Sequence, residues 1–188
     1  TVAHLKEAGI QMVSSLDGDI HTGQVMITAH GAAESVKDAV RAKGLAVYDA
    51  TCPLVTRVHK AAKYLVKLGY FPVVIGKVEH VEVKGIVGDL DEYLVIRDVS
   101  EVSKVAPLPR VGLVSQTTNR VADVEAVVEA IRAQGHESVK FIDTICQPVK
   151  DRQQAAEILS DIVDVMIVVG GYNSSNTKKL RDLAKKKG

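Results

Sequence analysis

The sequence predicts an α/β protein made of repeated, pseudo-symmetric lobes with mainly parallel sheets. Apolar segments rich in β-branched residues alternate along the chain with helical patterns, which is typical of parallel strands joined by covering helices. Two stretches of the chain also resemble each other, which predicts related lobes. Hydrophobic residues make up 46% and charged residues 25% of the 188 positions, so disorder, collagen and coiled coil are excluded as the main state.

The predicted strands are short runs dominated by Val, Ile, Leu, Tyr and Phe, the residues favoured in sheets. They are Gln24–Ala29, Leu45–Asp49, Phe71–Ile75, Tyr93–Ile96, Val111–Ser115, Val139–Ile142 and Val165–Val169. A helical pattern follows each strand, and Gly44 and Gly69 are placed to end two of these helices. The predicted helices are Glu34–Lys43, Pro53–Leu68, a short one near Val83, Ser100–Val105, Asn119–Ala133, Lys150–Ile162 and Ser175–Lys187.

An internal repeat relates the stretch that starts at Asp49 to the stretch that starts at Asp143. The offset of 94 residues holds without a gap through 28 positions. Eight positions are identical: Asp49/Asp143, Cys52/Cys146, Val55/Val149, Ala61/Ala155, Ala62/Ala156, Leu65/Leu159, Val74/Val168 and Gly76/Gly170. Shared periodicity explains matched apolar positions but not a matched Asp and Cys. The repeat therefore predicts duplicated lobes, joined near Pro107–Pro109, where two prolines indicate a linker.

Charge and composition exclude several classes of function. The net charge is +1, so nonspecific electrostatic binding to nucleic acid or membranes is not expected. Aromatic residues are 4%, so a surface on which bases stack is not expected either. No apolar run approaches the roughly 18 residues that a membrane span needs. Two cysteines do not make a disulfide framework, which favours a reducing compartment.

Candidate functional residues cluster in the loops that follow the predicted strands. Ligands of open parallel sheets bind at the carboxyl ends of the strands, near helix N-termini. The candidate residues in these loops are Thr28–Gly31, Thr51–Pro53, His80 and Glu82 with Gly76 before them, Gln116–Thr118, Cys146 and Gly170–Asn176. Together they offer two thiols, two imidazoles, one carboxylate and several hydroxyl and amide groups, a set that suits a phosphorylated ligand.

The residues by themselves leave other interpretations open. Each cysteine could also serve as a small buried apolar side chain without a chemical role. The runs of hydroxyl and amide residues could also be helix N-caps. A zinc site made of Cys52, Cys146, His30 and His80 is a further alternative, although the chain lacks the short ligand spacings common in such sites.

Several of these stretches match one family in order and spacing. The matching residues are Ala29-His30-Gly31, Asp49–Val55 with His59, His80-Val81-Glu82-Val83 with Gly85, Ser115–Thr118, Asp143–Cys146 with Arg152-Gln153, and Asn173–Asn176 with Leu180. On them the chain resembles the LytB family of 4-hydroxy-3-methylbut-2-enyl diphosphate reductases. The resemblance covers essentially the whole chain, and the Ala-Thr-Cys-Pro-Leu-Val and Asn-Ser-Ser-Asn stretches are its most specific parts.

The resemblance implies three similar α/β lobes around a central [4Fe–4S] cluster held by three cysteines, one from each lobe. It implies reductive removal of the 4-hydroxyl of an allylic diphosphate, giving isopentenyl and dimethylallyl diphosphate in the non-mevalonate pathway. Ferredoxin or flavodoxin would supply electrons, in the cytoplasm or, in a eukaryote, the plastid stroma. The implied roles are cluster ligation by Cys52 and Cys146, diphosphate binding by His30, His80, Ser174, Ser175 and Asn176, and proton donation by Glu82 with Thr117 in the relay.

The sequence departs from the family at both ends. The family's N-terminal Cys, its following His-Asn motif and its C-terminal diphosphate-binding Ser have no counterpart, which predicts an interior fragment that lacks the third cluster ligand. We expect a partial first lobe over residues 1–50, a complete middle lobe over 51–143 and a partial third lobe over 144–188. A diphosphate-binding module without a cluster, and a zinc or thiol-redox protein that uses the two cysteines, are the alternative functions.

Overall fold

The computed structural model describes residues 2–13, 15–16 and 20–187, without the side chains of residues 2, 3, 186 and 187. The strands are β1 (Gln24–Ile27), β2 (Ala46–Asp49), β3 (Phe71–Ile75), β4 (Leu94–Ile96), β5 (Arg110–Ser115) and β6 (Ser138–Phe141). The helices are α1 (Val2–Glu7), α2 (Glu34–Ala42), α3 (Pro53–Lys67), α4 (Val81–Val87), α5 (Val121–Arg132), α6 (Gln147–Ser160) and α7 (Ser175–Lys187), with a 3₁₀ helix at Val99–Val105.

Within the described residues the strands form two parallel sheets. The first pairs β1 with β2, with Gln24 opposite Ala46. The second has the order β4-β3-β5-β6, with Val73 opposite Leu94 and Leu113 opposite Phe141. Parallel strands must be joined by crossovers, and helices supply most of them. The predicted α/β class with mainly parallel sheets is confirmed.

The four-stranded sheet is buried on both faces because its central strands alternate between two apolar clusters. Val73 and Ile75 pack with β4, the 3₁₀ helix and α5, whereas Val74 packs with α3 and α4. Leu65 of α3 and Ile131 of α5 have no exposed surface, so each burial stabilises the fold by about 1.5–3 kcal/mol. A sheet covered in this way explains why its strands read as continuous apolar runs.

One predicted strand and one predicted linker are wrong. Val165–Val169 has no strand partner among the described residues, and Val165, Ile167 and Val169 are exposed. Its apolar composition favours a strand, but a strand also needs a neighbour to accept its hydrogen bonds. The segment Pro107–Pro109 does not join two lobes, because β3 and β4 before it and β5 and β6 after it belong to one sheet.

Helix boundaries differ from the prediction by a few residues. The fifth helix begins at Val121 rather than Asn119, because the Asn119 side chain bonds the Ile75 carbonyl. The sixth begins at Gln147 rather than Lys150, directly after Cys146. None of the described helices is long and apolar enough to cross a bilayer.

Candidate functional site

The two halves of the repeat build equivalent loops around the cysteines. Oδ1 of Asp49 accepts from the Thr51 backbone N–H at 3.0 Å, and Oδ1 of Asp143 accepts from that of Ile145 at 3.0 Å. Each Asp is also ion-paired with a lysine. The matched aspartates therefore have one local role, which is to fix the turn that precedes each cysteine.

Each cysteine occupies the N-cap of the helix that follows it. The Cys52 N–H donates to the Ala29 carbonyl at 3.1 Å, and the Cys146 N–H donates to the Thr117 carbonyl at 3.0 Å. Neither thiol caps its helix through a side-chain hydrogen bond, and both cysteines are free and partly buried. A thiol beside helix N–H groups is placed to act as a thiolate ligand.

Burial raises the pKa of the Cys146 thiol, and the charges of Glu82 and Cys52 act in the same direction. The two cysteines and Glu82 therefore lie close enough together to interact electrostatically. Among the described residues no group of three or more His, Cys, Asp or Glu side chains could hold a metal ion, so the four-ligand zinc site is not formed there. The donor set contains two thiols, which suit two positions of an iron–sulfur site.

Glu82 is a buried carboxyl group held on both oxygens by Thr117. Oε1 accepts from the Thr117 backbone N–H at 2.7 Å, and Oε2 accepts from its Oγ1 at 2.8 Å. Glu82 is 2% exposed, and this burial raises its pKa, whereas the bonds from Thr117 and the nearby His30 and Lys179 lower it. Burial is the largest effect, so the protonated form is favoured beyond the ordinary range of a glutamate.

The two candidate histidines are in contact. Their rings meet edge to face with centroids 5.8 Å apart. Nδ1 of His80 accepts from the Glu82 N–H at 3.2 Å, so Nε2 carries the proton in the neutral ring. Burial lowers the pKa of His80, with His30 adding to the effect. His80 is therefore a neutral donor whose free N–H is Nε2.

A tight turn brings His30 to this position. Gly31 has φ +76°, and a Cβ there would lie 3.1 Å from Cγ2 of Thr51. A side chain at that position would combine strain with a close contact. The glycine therefore fixes the turn that carries His30.

Polar bonds connect the loop after β5 to the N-terminus of α7. Nε2 of the buried Gln116 donates to Oγ1 of Thr118 at 3.1 Å, and Thr118 in turn donates to Oγ of Ser175 at 3.4 Å. Ser174 caps α7, as the alternative interpretation of this hydroxyl and amide run predicted. Its Oγ accepts from the Thr177 N–H at 3.2 Å. Oδ1 of Asn176 is buried without a hydrogen-bond partner, so this end of α7 holds an acceptor that a donor from a ligand or solvent would satisfy, while its amide N–H₂ group supplies donors.

An open cleft of about 840 Å³ lies beside part of this site, whereas His30, Glu82 and Thr117 are not among the residues that line it. His80 and Ser175 line it, as do residues of the loop before α4, of α5 and of α7. The sequence did not predict two residues at this place: Lys179, which is partly buried and lines the cleft, and Asn119, which accepts from it. Two features of the sequence could have indicated them. Asn119 directly follows the Gln116–Thr118 run, and Lys179 shares a helix face with Asn176.

The chain is similar along its whole length to proteins of one family. The family model described as LytB protein matches residues 1–188. The 4-hydroxy-3-methylbut-2-enyl diphosphate reductase of a Polaromonas species is 38% identical over 193 residues, which is 100% of this chain and 57% of that protein. The reductase of Trichlorobacter lovleyi is 37% identical over 183 residues, 97% of this chain and 65% of that protein.

Two solved structures are similar to the fold. One is (E)-4-hydroxy-3-methyl-but-2-enyl diphosphate reductase, the terminal enzyme of the non-mevalonate pathway, with TM-score 0.75, 36% identity, and coverage of 100% of this chain and 67% of that one. The other is the E-1-hydroxy-2-methyl-but-2-enyl-4-diphosphate reductase from Plasmodium falciparum, with TM-score 0.90, 28% identity, and coverage of 99% and 60%. The chain thus spans about three fifths of the length of the curated relatives it matches.

Proposed function

Because the chain belongs to the LytB family, we propose that it forms the core of a reductase that acts on 4-hydroxy-3-methylbut-2-enyl diphosphate. The reaction removes the 4-hydroxyl group as water, using two electrons and two protons, and gives isopentenyl and dimethylallyl diphosphate. The observation that carries the proposal is the buried Glu82–Thr117 pair beside two contacting histidines at the edge of a positively charged cleft.

Cys52 and Cys146 would hold an iron–sulfur cluster, with further ligation from outside these residues. Both thiols are at helix N-termini, whose N–H groups stabilise a thiolate. Because burial raises the pKa of the Cys146 thiol, iron binding there would have to displace its proton. When bound, such a cluster would pass electrons to the substrate and polarise its hydroxyl group as a Lewis acid.

The diphosphate would lie between the histidines and the N-terminus of α7. His30 and the Nε2–H of His80 donate from one side, and Ser175, Asn176 and the first N–H groups of α7 from the other. A helix N-terminus with hydroxyl and amide side chains suits a phosphate group. Ser174 would contribute through its cap, which holds that helix end in place.

Glu82 would supply a proton through Oε2. Its Oε1 faces the Thr117 backbone N–H, which can only donate, so the acidic proton resides on Oε2. Oε2 is 2.8 Å from Thr117 Oγ1, and a hydroxyl group can both donate and accept. Glu82 would give its Oε2 proton to Thr117 Oγ1 while the Thr117 hydroxyl passes its own hydrogen to the leaving hydroxyl group. Glu82 would then remain as the carboxylate.

Ferredoxin or flavodoxin would donate the electrons, and the reaction would take place in the cytoplasm or plastid stroma. Residues 1–50, 51–143 and 144–188 would belong to the first, middle and third lobes of the complete enzyme.

The test is anaerobic iron and sulfide reconstitution of the full protein that contains this chain, followed by iron counting and assay of substrate reduction. We expect about four irons per protein, turnover of 4-hydroxy-3-methylbut-2-enyl diphosphate, and loss of both in Cys146→Ser. Iron-free protein that still binds diphosphate would favour the cluster-free binding module. Bound zinc, or a Cys52–Cys146 disulfide, would favour the thiol-redox alternative.

A further inference from the structure

Lys179 projects from α7 toward the interior of the cleft rather than toward solvent. Its Nζ donates to Oδ1 of Asn119, which is 60 residues earlier in the chain. Nδ2 of Asn119 donates to the Ile75 carbonyl at 2.8 Å, so the amide orientation is fixed with its oxygen facing the lysine. The ammonium group therefore has a defined position at the end of β3, beside the loop that carries His80.

An ammonium group has three N–H donors, and the more it is withdrawn from solvent, the more it depends on protein or ligand acceptors; Lys179 is partly buried. Among the described residues, Nζ of Lys179 forms one hydrogen bond, which it donates to Asn119. Two donors thus remain for a ligand or for solvent. Lys179 lines the same cleft as His80 and Ser175, so those donors belong to the cavity in which the substrate would lie.

The cleft around Lys179 has an excess of positive charge. Five Lys or Arg residues and three Asp or Glu residues line it. Arg120 is paired with Asp123 at 3.6 Å and Arg181 with Asp182 at 2.6 Å, so two of the cations are locally neutralised. A small anion would compensate the remaining charge, and a partly buried cation such as Lys179 interacts with it more strongly than a fully exposed one does.

We propose that Lys179 is an additional ligand of the diphosphate group, donating from Nζ to a phosphate oxygen at the inner end of the cleft. This inference rests on the proposed function and adds a cation to a binding site otherwise made of imidazole, hydroxyl, amide and backbone groups. Asn119 is its positioning residue, since it holds the ammonium group without neutralising it.

The electrostatics of the site are consistent with an anion partner. Burial lowers the pKa of Lys179 to about 8. This net value already includes the charges of Lys77 and Arg120, which lower the pKa, and those of Asp123 and Glu82, which raise it. Lys179 in turn lowers the pKa of both His80 and Glu82. A bound phosphate oxygen would favour the charged ammonium form, so binding of the anion and protonation of Lys179 support each other.

The experiment measures the Kd of inorganic diphosphate for the full protein by isothermal titration calorimetry. Lys179→Met should weaken binding at least tenfold, and Lys179→Arg should remain within about threefold because it keeps the charge. Lys185→Met is the matched control: the residue is exposed on the same helix and does not line the cleft, so its variant should bind like the wild type. Unchanged affinity in Lys179→Met, with a normal unfolding transition, overturns the inference.

A second comparison stays informative even if Lys179→Met does not fold. Between pH 7 and pH 9 the wild type should lose more diphosphate affinity than Lys179→Arg, because the lysine deprotonates and the arginine does not. Parallel pH profiles would overturn the inference. Failure of the wild type to bind diphosphate or reduce the substrate would instead remove the proposed function, so the two failures are distinguishable.

Discussion

Both backbone groups of Ser115 are hydrogen-bonded to one side chain, that of Thr144. The Ser115 N–H donates to Thr144 Oγ1 at 2.8 Å, and the same hydroxyl donates to the Ser115 carbonyl at 2.7 Å. Ser115 ends β5 and Thr144 lies two residues before Cys146, and both are buried. One hydroxyl group thus couples the end of a central strand to the loop that presents a candidate ligand.

Thr144→Val should destabilise the protein strongly although it preserves the side-chain shape. Losing the hydroxyl leaves a buried N–H and a buried carbonyl without a partner, at a cost of about 1–3 kcal/mol for each group. Urea unfolding of the full protein measures the effect, with Thr144→Ser as the variant that keeps the hydroxyl. Equal midpoints for wild type and Thr144→Val would contradict this role.

Glu82→Gln should abolish most of the turnover while leaving the fold intact. The amide cannot deliver a proton, and loss of a general acid lowers kcat by roughly 100- to 10,000-fold. Diphosphate affinity should change little, because both Glu82 oxygens bond Thr117. The assay compares kcat with the Kd of diphosphate, and a variant that loses binding but keeps kcat would argue against Glu82 as the acid.

The pH dependence of stability provides a separate test of Glu82. Burial raises its folded-state pKa above the reference value of 4.5, so the fold prefers the protonated form. Its favourable contribution is complete below about pH 4.5 and is lost as pH rises through the folded-state pKa, by about 1.4 kcal/mol for each unit by which that pKa is raised.

Wild-type stability relative to Glu82→Gln should therefore fall as pH increases from 4 to 8. Urea midpoints of the metal-free full proteins across this range check the prediction. A difference that stays constant or grows with pH would mean that the carboxyl group is stabilised in its charged form.

Two glycines at the end of α4 should respond in opposite ways to substitution by alanine. A Cβ at Gly88 would lie 2.7 Å from the Ala33 Cβ and 3.1 Å from the Lys84 carbonyl oxygen. A Cβ at Gly85 would make ordinary contacts of 3.5 and 3.6 Å with the Ala32 backbone.

Gly88→Ala should cost about 1–3 kcal/mol through overpacking, whereas Gly85→Ala should be neutral or gain up to about 1 kcal/mol of helix propensity. Thermal unfolding of both variants measures the contrast. If both variants change the unfolding temperature by the same amount and in the same direction, the close contact with Ala33 does not determine the loss of stability in Gly88→Ala.

Local patterns predicted most of the fold because they depend on neighbours in sequence. The strand Phe71–Ile75 and the helix Ser175–Lys187 have the predicted boundaries, since β-branched runs and capping residues determine them. Val165–Val169 is as apolar as β3 and at least as rich in β-branched residues, yet it has no strand partner among the described residues. A sequence pattern indicates that a segment can be a strand but does not supply the strand beside it.

The candidate site was predictable to a similar extent. The family motifs indicated Glu82 with Thr117, and the structure joins them by two hydrogen bonds. Lys179 was missed because a lysine within a lysine-rich helix is usually solvated. Its burial depends on Asn119, and a contact over 60 residues leaves no periodic signal in the sequence.

The exposed segment Val165–Val169 has a consequence for handling the chain. Val165, Ile167 and Val169 are 77%, 82% and 89% exposed, while Met166 and Val168 between them are partly buried. Five consecutive apolar residues without charge or proline, alternating like a strand, form a template onto which a second copy can add. The chain as it stands should therefore aggregate with increasing concentration, and a single charge at Ile167 should suppress that aggregation in light scattering.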